Sequence, residues 1–480
     1  MALPVIKKIA LVSLALHILA AIFSTGFHHF DEHFQVLEFL NFRVGNMNSS
    51  TLPWEFTSMV RPWFQVSLYA CLYNLFSFIG ISSPFIHTFI FRLVTALFGW
   101  AALCSLWPLI CDWIKDQKYR SLTWGLIHLA WFVPYIQART SGESLGSSFL
   151  ILALCGFLLF KDWKHHLIKK GFLIGVCFGA AYSARYQIAL MVAFLWFWEI
   201  FIGERKWRLL LSSALGILFM IGMGVVFDHW GYGQWTFAPW NLLYADFFEG
   251  ILKATGVTPW WEFLRLSFNR GIPPISLILM LATLHFWIVN WRHPLTWAML
   301  PLFVFHSIIG HKELRYIFPL IMLTPLLLGV YIYQYREKFE NLWNSKRFRY
   351  PIKFTVTLNL ILLLASSLKP ANPSANFYRY LHNHPEINQM SFPKDNSPFQ
   401  MVGLDIMYYR PKGLLLSEYS SLENANSKYI FTHRGKLLFE MERRKNCQNI
   451  YMTYPRFLLN FNIGNWISRS RVWAIFKCQL

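Results

Sequence analysis

Two adjacent carboxylates after the first apolar segment are the residues of this sequence best suited to acid–base chemistry. The stretch His29–Glu38 reads HFDEHFQVLE and contains Asp31 and Glu32. From Asp31 onward the residues suit a helix, which Asp31 can cap. A carboxylate partly desolvated at the boundary between water and lipid has a raised pKa and can act as a general base. The alternative interpretation is a solvated acidic helix cap.

Three cations near residue 310 could hold an anion. The segment HKELR starts at His311 and includes Lys312 and Arg315. On a helix, His311 and Arg315 would lie four residues apart on one face. Cations at a membrane boundary are costly without an anionic partner, and a phosphate is the natural partner. The neighbouring loops place this cluster outside, so the usual cytoplasmic excess of positive charge explains it poorly.

Further candidate residues lie in two outer loops. Arg61 follows the segment LPWEF at 52–56, and an arginine there can hold a lipid phosphate by paired hydrogen bonds. The alternative is an interfacial anchor, with Trp54 and Trp63 in an aromatic belt. The loop that begins at Asp228 is rich in aromatic residues whose flat faces suit either sugar stacking or the headgroup zone. Its tryptophans are Trp230, Trp235, Trp240, Trp260 and Trp261.

A shorter loop, RTSGESLGS, supplies one more cation and one more carboxylate. These are Arg139 and Glu143, and a structural salt bridge is the favoured interpretation.

The composition indicates a membrane protein with many spanning segments. Of the 480 residues, 55% are hydrophobic and only 14% are charged, which excludes a large soluble core. The net charge of +20 collects in short loops between apolar runs, and no nucleic-acid-binding motif accompanies it. The seven cysteines show neither metal-ligand spacing nor a disulfide framework, although Cys447 and Cys478 could pair.

Apolar segments that could span a bilayer predict an all-α membrane domain with about 11–13 transmembrane helices. The first segment is interpreted as a retained helix and not as a cleaved signal peptide. The pair 171–184 and 187–203 is a possible short or re-entrant hairpin. The candidate segments are 6–24, 63–81, 86–110, 122–138, 145–160, 171–184, 187–203, 209–227, 274–290, 295–310, 316–334 and 353–368.

The distribution of basic residues predicts which loops are cytoplasmic. Lys7 and Lys8 and the loops 161–170, 204–208 and 335–353 are placed in the cytoplasm. The opposite side then receives a large first loop at 25–61, the segments 228–273 and 311–315, and the tail after 368. One crossing between residues 62 and 120 stays unassigned, because the loop 115–120 also has cytoplasmic character.

The last segment of the chain differs in character from the rest. Residues 1–368 are predicted to form a transmembrane catalytic domain, and residues 369–480 a small non-cytoplasmic domain of mixed α/β structure. Short β-like runs at Tyr429–Thr432 and Val472–Phe476 support the second prediction.

The motifs together resemble those of the family-22 glycosyltransferases, the α-mannosyltransferases of N-glycan and GPI-anchor assembly and their bacterial relatives. The segment from His29 to Gln35 resembles the family's HPDExxQ loop. Residues 52–63 are similar to its next conserved piece. Asp228 to Trp235 resembles its D-x-x-x-Y-G-x-W segment. Further along, 241–243 is similar to NFL, 256–260 to YGxxPW, and 311–315 to HKEER.

The resemblance implies a GT-C fold and an inverting transfer of mannose or another hexose from a polyprenyl- or dolichyl-phosphate donor to a lipid-linked glycan. Asp31 would be the general base and Glu32 would support it. The donor phosphate would contact His311, Lys312, Arg315 and Arg61. The acceptor and sugar loop would include Asp228, Tyr232, Trp235 and Trp260.

The resemblance also implies that no nucleotide and no metal is required, although a cation held by Asp31 and Glu32 stays open. The membrane would be the endoplasmic reticulum in a eukaryote or the inner membrane in a bacterium, with the active site on the non-cytoplasmic side.

Several residues depart from the family pattern and leave the acceptor and the identity of the sugar open. They are Phe30, Thr255, Thr258, Glu262 and Leu314. A lipid or solute transporter is the main alternative, since Arg92, Arg185, His285 and His306 lie within or beside apolar runs. A non-catalytic scaffold would leave Asp31 and the 311–315 cluster without a role. The enzyme interpretation requires Asp31 and Arg315 to face one cavity.

Overall fold

Contacts between residues divide the chain into two units. The transmembrane unit comprises residues 1–24, 54–79 and 89–369, and the polar unit comprises residues 25–53, 80–88 and 370–480. The structure, a computed structural model, describes residues 2–160, 166–250, 256–394, 396–420, 427–444 and 446–479. Thr255 and the first half of the predicted cytoplasmic loop 161–170 lie outside those ranges. The assignment of catalysis to residues 1–368 remains a prediction.

The transmembrane unit is built from helices, because apolar segments in lipid must satisfy their backbone hydrogen bonds internally. Its helices are Ala2–Phe23, Trp54–Thr57, Phe64–Phe78, Pro84–Ser105, Trp107–Trp113, Gln117–Leu129, Val133–Gln137, Gly142–Leu158, Leu167–Ala184, Ile188–Phe201, Trp207–Tyr232, Ala238–Phe247, Glu262–Arg270, Ile275–Val289, Pro294–Ile308, the 3₁₀ turn Leu314–Ile317, Phe318–Ile321, Thr324–Gln334, Arg336–Asn344 and Lys346–Leu368. Helix Pro84–Ser105 joins this unit from residue 89 onward.

Five helices among the described residues are long and apolar enough to cross a membrane. They are Pro4–Phe23, Pro84–Trp113, Leu167–Ala184, Trp207–Tyr232 and Lys346–Leu368. Two bent pairs raise the number to seven if each pair is one span. They are Ile275–Val289 with Pro294–Ile308, bent by 113°, and Leu314–Ile321 with Thr324–Gln334, bent by 46°. The prediction of a membrane protein with several spanning helices is confirmed, but the described residues contain fewer helices of this length and apolarity than the 11–13 predicted.

Helices occupy each of the twelve segments that the sequence predicted to span, but not every segment is one continuous helix. Segment 122–138 breaks after Leu129 and resumes at Val133, where Pro134 stands in the first turn. Proline is tolerated there because the N–H that it lacks would have no helical partner. Segment 316–334 breaks between Ile321 and Thr324, whereas segments 274–290 and 295–310 form two separate helices as predicted.

A stripe of glycines brings two spanning helices into close contact. Gly171, Gly175 and Gly179 lie four residues apart on helix Leu167–Ala184. A Cβ atom at Gly171 or Gly175 would overlap Ser212 or Ser213 of helix Trp207–Tyr232. Small residues at such spacing let two backbones approach in a bilayer, where packing drives helix association.

The second close approach holds the segment that carries Arg61. Trp63 is completely buried, and a Cβ atom at Gly231 would overlap its indole ring. Helix Trp207–Tyr232 therefore offers a flat surface to Trp63 that a side chain would abolish. The placement of Trp63 in an aromatic belt was wrong, because this ring packs inside the protein.

The polar unit combines short helices with a sheet, which confirms the predicted mixed α/β structure. Its helices are Phe30–Glu32, the π-helix His33–Glu38, Phe39–Arg43, the 3₁₀ turn Ser49–Thr51, Ser374–Asn383, Gly435–Glu442, the 3₁₀ turns Arg456–Phe461 and Ile463–Asn465, and Trp466–Arg469. Its strands are β1 (Gln389–Pro393), β2 (Gln400–Met401), β3 (Leu404–Asp405), β4 (Leu415–Tyr419), β5 (Tyr429–Arg434), β6 (Cys447–Met452) and β7 (Arg471–Cys478).

Five strands form one sheet in the order β4-β1-β5-β7-β6, and β2 and β3 pair separately. β1 is parallel to β4 and β5, whereas β7 is antiparallel to β5 and β6. The two runs predicted to be strands pair with each other, with Thr432 opposite Ala474. Cys447 and Cys478 face each other across β6 and β7 and form the disulfide considered from the sequence.

The contact between Gly231 and Trp63 predicts the effect of adding one methyl group. Gly231→Ala should destabilise the protein by about 1–3 kcal/mol, since the indole must move to admit the new Cβ atom. Thermal unfolding of the purified protein in detergent measures this.

The matched control is Gly222→Ala, on the same helix, where a Cβ atom meets nothing within 4 Å. Equal melting temperatures for the two variants would contradict this packing.

Candidate active site

A shared carboxylate brings together two of the four predicted donor-site cations. His311 Nε2 lies 2.9 Å from Glu313 Oε1, and Arg315 Nε donates to Glu313 Oε2 at 2.5 Å. The expectation that helical spacing aligns His311 and Arg315 was wrong, because residues 311–313 precede the 3₁₀ turn Leu314–Ile317. The expectation that these cations need a phosphate as their anionic partner was also wrong, because the carboxylate of Glu313 pairs with His311 and Arg315.

The third cation, Lys312, is buried and bonds to backbone oxygens. Its Nζ atom donates to the carbonyl of Thr258 at 3.1 Å and to that of Ile309 at 2.5 Å. Burial lowers the pKa of Lys312, and the nearby carboxylate of Glu262 partly offsets that effect. Thr258 in turn donates its N–H and its hydroxyl to the carbonyl of Gly310. Lys312 thus fixes the segment that leads to Trp260, whose ring is 67% exposed.

A second carboxylate in the transmembrane unit joins Arg315 to an arginine that the sequence left to the transporter alternative. Glu143 Oε1 lies 3.1 Å from Arg185 Nη2 and 3.5 Å from Arg315 Nη1. Glu143 starts helix Gly142–Leu158, and the hydroxyl of Ser141 caps that helix by accepting from the N–H of Ser144. Spacing could not reveal this pairing, because the three residues come from distant parts of the chain.

Arg61 has both a charged partner and a fixed backbone. Its Nη2 atom lies 3.5 Å from Glu55 Oε1. The hydroxyl of Tyr232 accepts from the Arg61 N–H at 3.1 Å and donates to the Arg61 carbonyl at 2.9 Å. Asp228 Oδ1 accepts from the N–H of Trp63 at 3.0 Å. Asp228 and Tyr232, predicted as acceptor-loop residues, are therefore the residues that hold the Arg61 segment.

The aromatic residues of the large loop are mostly exposed. Trp235 is 69% exposed and stacks on the ring of His229, with ring centroids 4.1 Å apart. Trp240 and Trp261 are also exposed. These surfaces remain open to either a sugar or lipid headgroups.

In the polar unit, Asp31 and Glu32 lie buried in the first turn of a helical segment. Asp31 is 8% exposed and Glu32 is 3% exposed. His29, and not Asp31 as predicted, occupies the cap position, and its Nδ1 atom accepts the Asp31 N–H at 3.3 Å. Glu32 Oε2 accepts the N–H of His28 at 2.8 Å. The helix predicted from Asp31 onward is present, but residues 33–38 adopt π-helical geometry.

The π-helix is held by a buried carboxylate that reaches the tail of the chain. Glu38 Oε1 lies 2.7 Å from His33 Nε2 and accepts the N–H groups of Met407 and Tyr408 at 2.8 and 2.9 Å. The ring of His33 stacks on Tyr409. Irregular π-turns are frequent at functional sites. Glu38 was not among the predicted site residues, because the backbone groups that it binds lie in the tail, far along the chain.

The structure thus collects the candidate residues in two groups, one in each unit. Arg61, Asp228, Tyr232, Trp235, Trp260, His311, Lys312 and Arg315 belong to the transmembrane unit, together with Glu143 and Arg185. Asp31 and Glu32 belong to the polar unit. A group of three or more metal-binding side chains does not occur among the described residues.

The sequence matches the profile of the Alg9-like mannosyltransferase family over residues 8–415. That range covers both groups of candidate residues and most of the chain.

Curated relatives show the same similarity. The chain is 24% identical to GPI mannosyltransferase 3 of Debaryomyces hansenii over 82% of its own length and 71% of that protein. It is 24% identical to GPI alpha-1,2-mannosyltransferase 3 of Bos taurus over 70% of its length and 59% of that protein. For mannosyltransferase APTG1 of Arabidopsis thaliana the identity is 25%, over 67% and 58%. The chain therefore spans less than two thirds of two of these relatives.

Solved structures are similar in fold. ArnT from Cupriavidus metallidurans, crystallised with undecaprenyl phosphate, matches with a TM-score of 0.54 and 13% identity over 98% of this chain and 97% of that one. The Archaeoglobus fulgidus oligosaccharyltransferase matches with a TM-score of 0.52 and 13% identity over 90% and 69%. The predicted GT-C fold is confirmed.

The contacts of Glu38 predict a large effect on stability when its side chain is removed. Glu38→Ala should destabilise the protein by about 3 kcal/mol or more, since three buried donors lose their acceptor. Thermal unfolding in detergent measures the change, and Glu386→Ala is the control because Glu386 is exposed. A melting temperature equal to that of the control would refute the role assigned to Glu38.

Proposed function

The chain belongs to the Alg9-like mannosyltransferase family, and from this membership we propose that it transfers a mannosyl residue from a polyprenyl-phosphate-linked donor to a lipid-linked glycan. The observation that carries the proposal is the family match over residues 8–415, which includes the Asp31–Glu32 pair and the 311–315 cluster. The curated relatives are named as mannosyltransferases, two of them acting on GPI. ArnT, which shares the fold, was crystallised with a polyprenyl phosphate.

The proposed reaction is a single displacement at the anomeric carbon. A hydroxyl of the acceptor attacks this carbon, the bond to the donor phosphate oxygen breaks, and polyprenyl phosphate leaves with the bonding electron pair. The configuration of the sugar inverts. The acceptor proton needs a base and the leaving phosphate needs positive charge, and these two requirements define the roles of the two groups of residues.

Asp31 is proposed as the base and Glu32 as its support. Both are carboxylates in the first turn of a helix, where their negative charge is favourable. The N–H of His28 holds Glu32 in place, and the cap formed by His29 fixes the backbone of Asp31. A base held in this way can meet a substrate without a large rearrangement.

The cations of the transmembrane unit are proposed to hold the donor phosphate. Arg315 and His311 share the carboxylate of Glu313, Lys312 is anchored at Ile309, and Arg61 is anchored by Tyr232. Cations fixed beforehand stabilise charge on a leaving group without having to reorganise during the reaction.

The exposed rings of Trp235 and Trp260 are proposed to contact sugar residues of the acceptor. Stacking on a flat ring would hold a sugar without requiring one particular hydroxyl pattern. Asp228 and Tyr232 would act indirectly, through the segment of Arg61 that they hold.

The polar unit is proposed to face a non-cytoplasmic compartment. It contains the disulfide between Cys447 and Cys478, and such bonds form and persist mainly in oxidising compartments. The membrane would be that of the endoplasmic reticulum if the source is eukaryotic and the inner membrane if it is bacterial.

The transporter alternative loses support from the contacts of its candidate residues. Arg92 Nε donates to the carbonyl of Ala21 at 2.9 Å, and Arg185 pairs with Glu143. His285 Nδ1 lies 3.2 Å from the hydroxyl of Tyr331, and His306 Nδ1 lies 3.0 Å from the carbonyl of Leu302. Each of these side chains thus has a partner inside the protein, so none of them requires a transport path to explain its burial.

Removing the proposed base should separate chemistry from folding. Asp31→Asn should lower the transfer rate by about 100-fold or more, because the acceptor proton loses its acceptor. Purified protein, radiolabelled polyprenyl-phosphate mannose and a lipid-glycan extract provide the assay.

The control is Asp405→Asn, an exposed carboxylate in the same unit. Wild-type turnover by Asp31→Asn would exclude Asp31 as the base, and equal loss in both variants would indicate a general effect on the unit.

The lowered pKa of Lys312 predicts a pH dependence. Its charged form exists below its pKa, so its contribution to donor binding should disappear at a lower pH than for an ordinary lysine. The ratio kcat/KM for the donor should fall on the alkaline side, and in Lys312→Arg this fall should move to higher pH. An alkaline limb that is identical in the two proteins would exclude the ammonium group of Lys312 from donor binding.

A further inference from the structure

Arg185 and Arg315 share one buried carboxylate oxygen. Glu143 Oε1 lies 3.1 Å from a terminal nitrogen of Arg185 and 3.5 Å from one of Arg315. Glu143 is 1% exposed, while the side chain of Arg185 retains 12% exposure. The carboxylate is thus inside the protein, whereas the side chain of Arg185 is only partly buried.

The same two guanidinium groups also lie against one ring. The centroid of Tyr316 is 5.7 Å from Arg185 and 5.3 Å from Arg315. Arg185 Nε donates to Gln187 Oε1 at 3.2 Å, and Gln187 Nε2 donates to the carbonyl of Tyr316 at 2.7 Å. The orientation of Arg185 is therefore fixed by a carboxylate, an aromatic face and an amide.

Small residues are needed to bring Glu143 to this position. A Cβ atom at Gly142 would overlap the carbonyl of Ala184, directly before Arg185. A Cβ atom at Gly146 would lie 2.6 Å from the side chain of Ile188, just beyond Arg185. The start of helix Gly142–Leu158 thus packs against the residues on either side of Arg185. A larger residue at Gly142 or Gly146 would move Glu143 away from Arg185.

Arg315 and Arg61 lie within electrostatic reach of Arg185, with the carboxylates of Glu143, Glu313 and Glu55 beside the three guanidinium groups. Burial lowers the pKa of Arg185, and the neighbouring Arg315 and Arg61 lower it further against the effect of Glu143. Burial also raises the pKa of the nearby Asp246, which makes that carboxyl a weaker source of negative charge. Three guanidinium groups within electrostatic reach of one another would be stabilised by a phosphate.

We infer that Arg185 binds the donor phosphate together with Arg315, and that Glu143 is a positioning residue which holds the two guanidinium groups towards it. The inference rests on the proposed function, because it adds a residue to the proposed donor site. Guanidinium groups suit this task because their paired N–H donors match the oxygens of a phosphate. The ligand class is a polyprenyl phosphate or its glycosyl ester.

The first test measures binding of undecaprenyl phosphate and the KM for the donor in Arg185→Gln and Arg185→Lys. Arg185→Gln should weaken both by about 10-fold or more, the scale of a charge-assisted pair. Arg185→Lys should recover part of the loss, because it keeps the charge but not the paired geometry. The control is Arg92→Gln, another buried arginine, which should bind as the wild type does.

The second test distinguishes positioning from simple support of the fold. Glu143→Gln should lower the melting temperature of the ligand-free protein, because it leaves buried guanidinium groups with less negative charge. Undecaprenyl phosphate should then raise the melting temperature by less than it does in the wild type, because guanidinium groups that are no longer held in place bind the phosphate more weakly. A lowered melting temperature with an unchanged ligand-induced shift would show that Glu143 only supports the fold.

Binding by the Arg185 and Arg315 variants distinguishes the inferred role of Arg185 from the proposed donor site as a whole. Wild-type binding by Arg185→Gln, with binding lost in Arg315→Ala, would overturn the role of Arg185 and leave the donor site standing. Wild-type binding by both variants would remove the donor site itself. If Arg185→Gln does not fold, wild-type donor affinity in Arg185→Lys would overturn the inference.

Discussion

The need to balance charge away from water governs the transmembrane unit of this protein. A guanidinium group taken out of water needs an anion close by, and Glu143 supplies one oxygen to both Arg185 and Arg315. Glu313 supplies the other side of Arg315, and Glu55 lies beside Arg61. Such a set of charges is more expensive than a hydrophobic core of the same volume, so a gain in stability does not explain its presence.

In the polar unit, side-chain and backbone acceptors of the first segment bind backbone N–H groups of the tail. The N-terminal loop and the tail share Glu38 as a common acceptor, and the carbonyl of Thr25 accepts the N–H groups of Ala371 and Asn372. The carboxylates Asp31 and Glu32 are therefore part of a folded α/β structure, and not of a flexible connection between two helices. This distinction matters for a proposed base, whose position must be reproducible to fractions of an ångström.

The sequence was informative where the physical signal is local. Apolar runs marked the helical segments, and β-branched and aromatic runs marked β5 and β7, whereas the pairing of Cys447 with Cys478 was only one possibility in the sequence. Signals that depend on distant partners were missed. The role of Glu143 follows from residues 185 and 315, and that of Glu38 from residues 407 and 408, none of which lies nearby in sequence.

Helical spacing gave a wrong prediction for His311 and Arg315, because the carboxylate of Glu313 between them decides their geometry. Amino-acid composition also could not predict that the candidate residues are divided between two structural units.

The discontinuous make-up of the polar unit constrains how the protein is made. Its first segment ends at residue 53, and its main body starts only at residue 370. At about 5–20 residues per second, the ribosome needs on the order of tens of seconds to synthesise the chain between them. During that time the segment 25–53 is already synthesised but lacks the strands and the backbone N–H donors of the tail with which it folds. The polar unit can therefore complete its fold only after residues 370–480 have been synthesised.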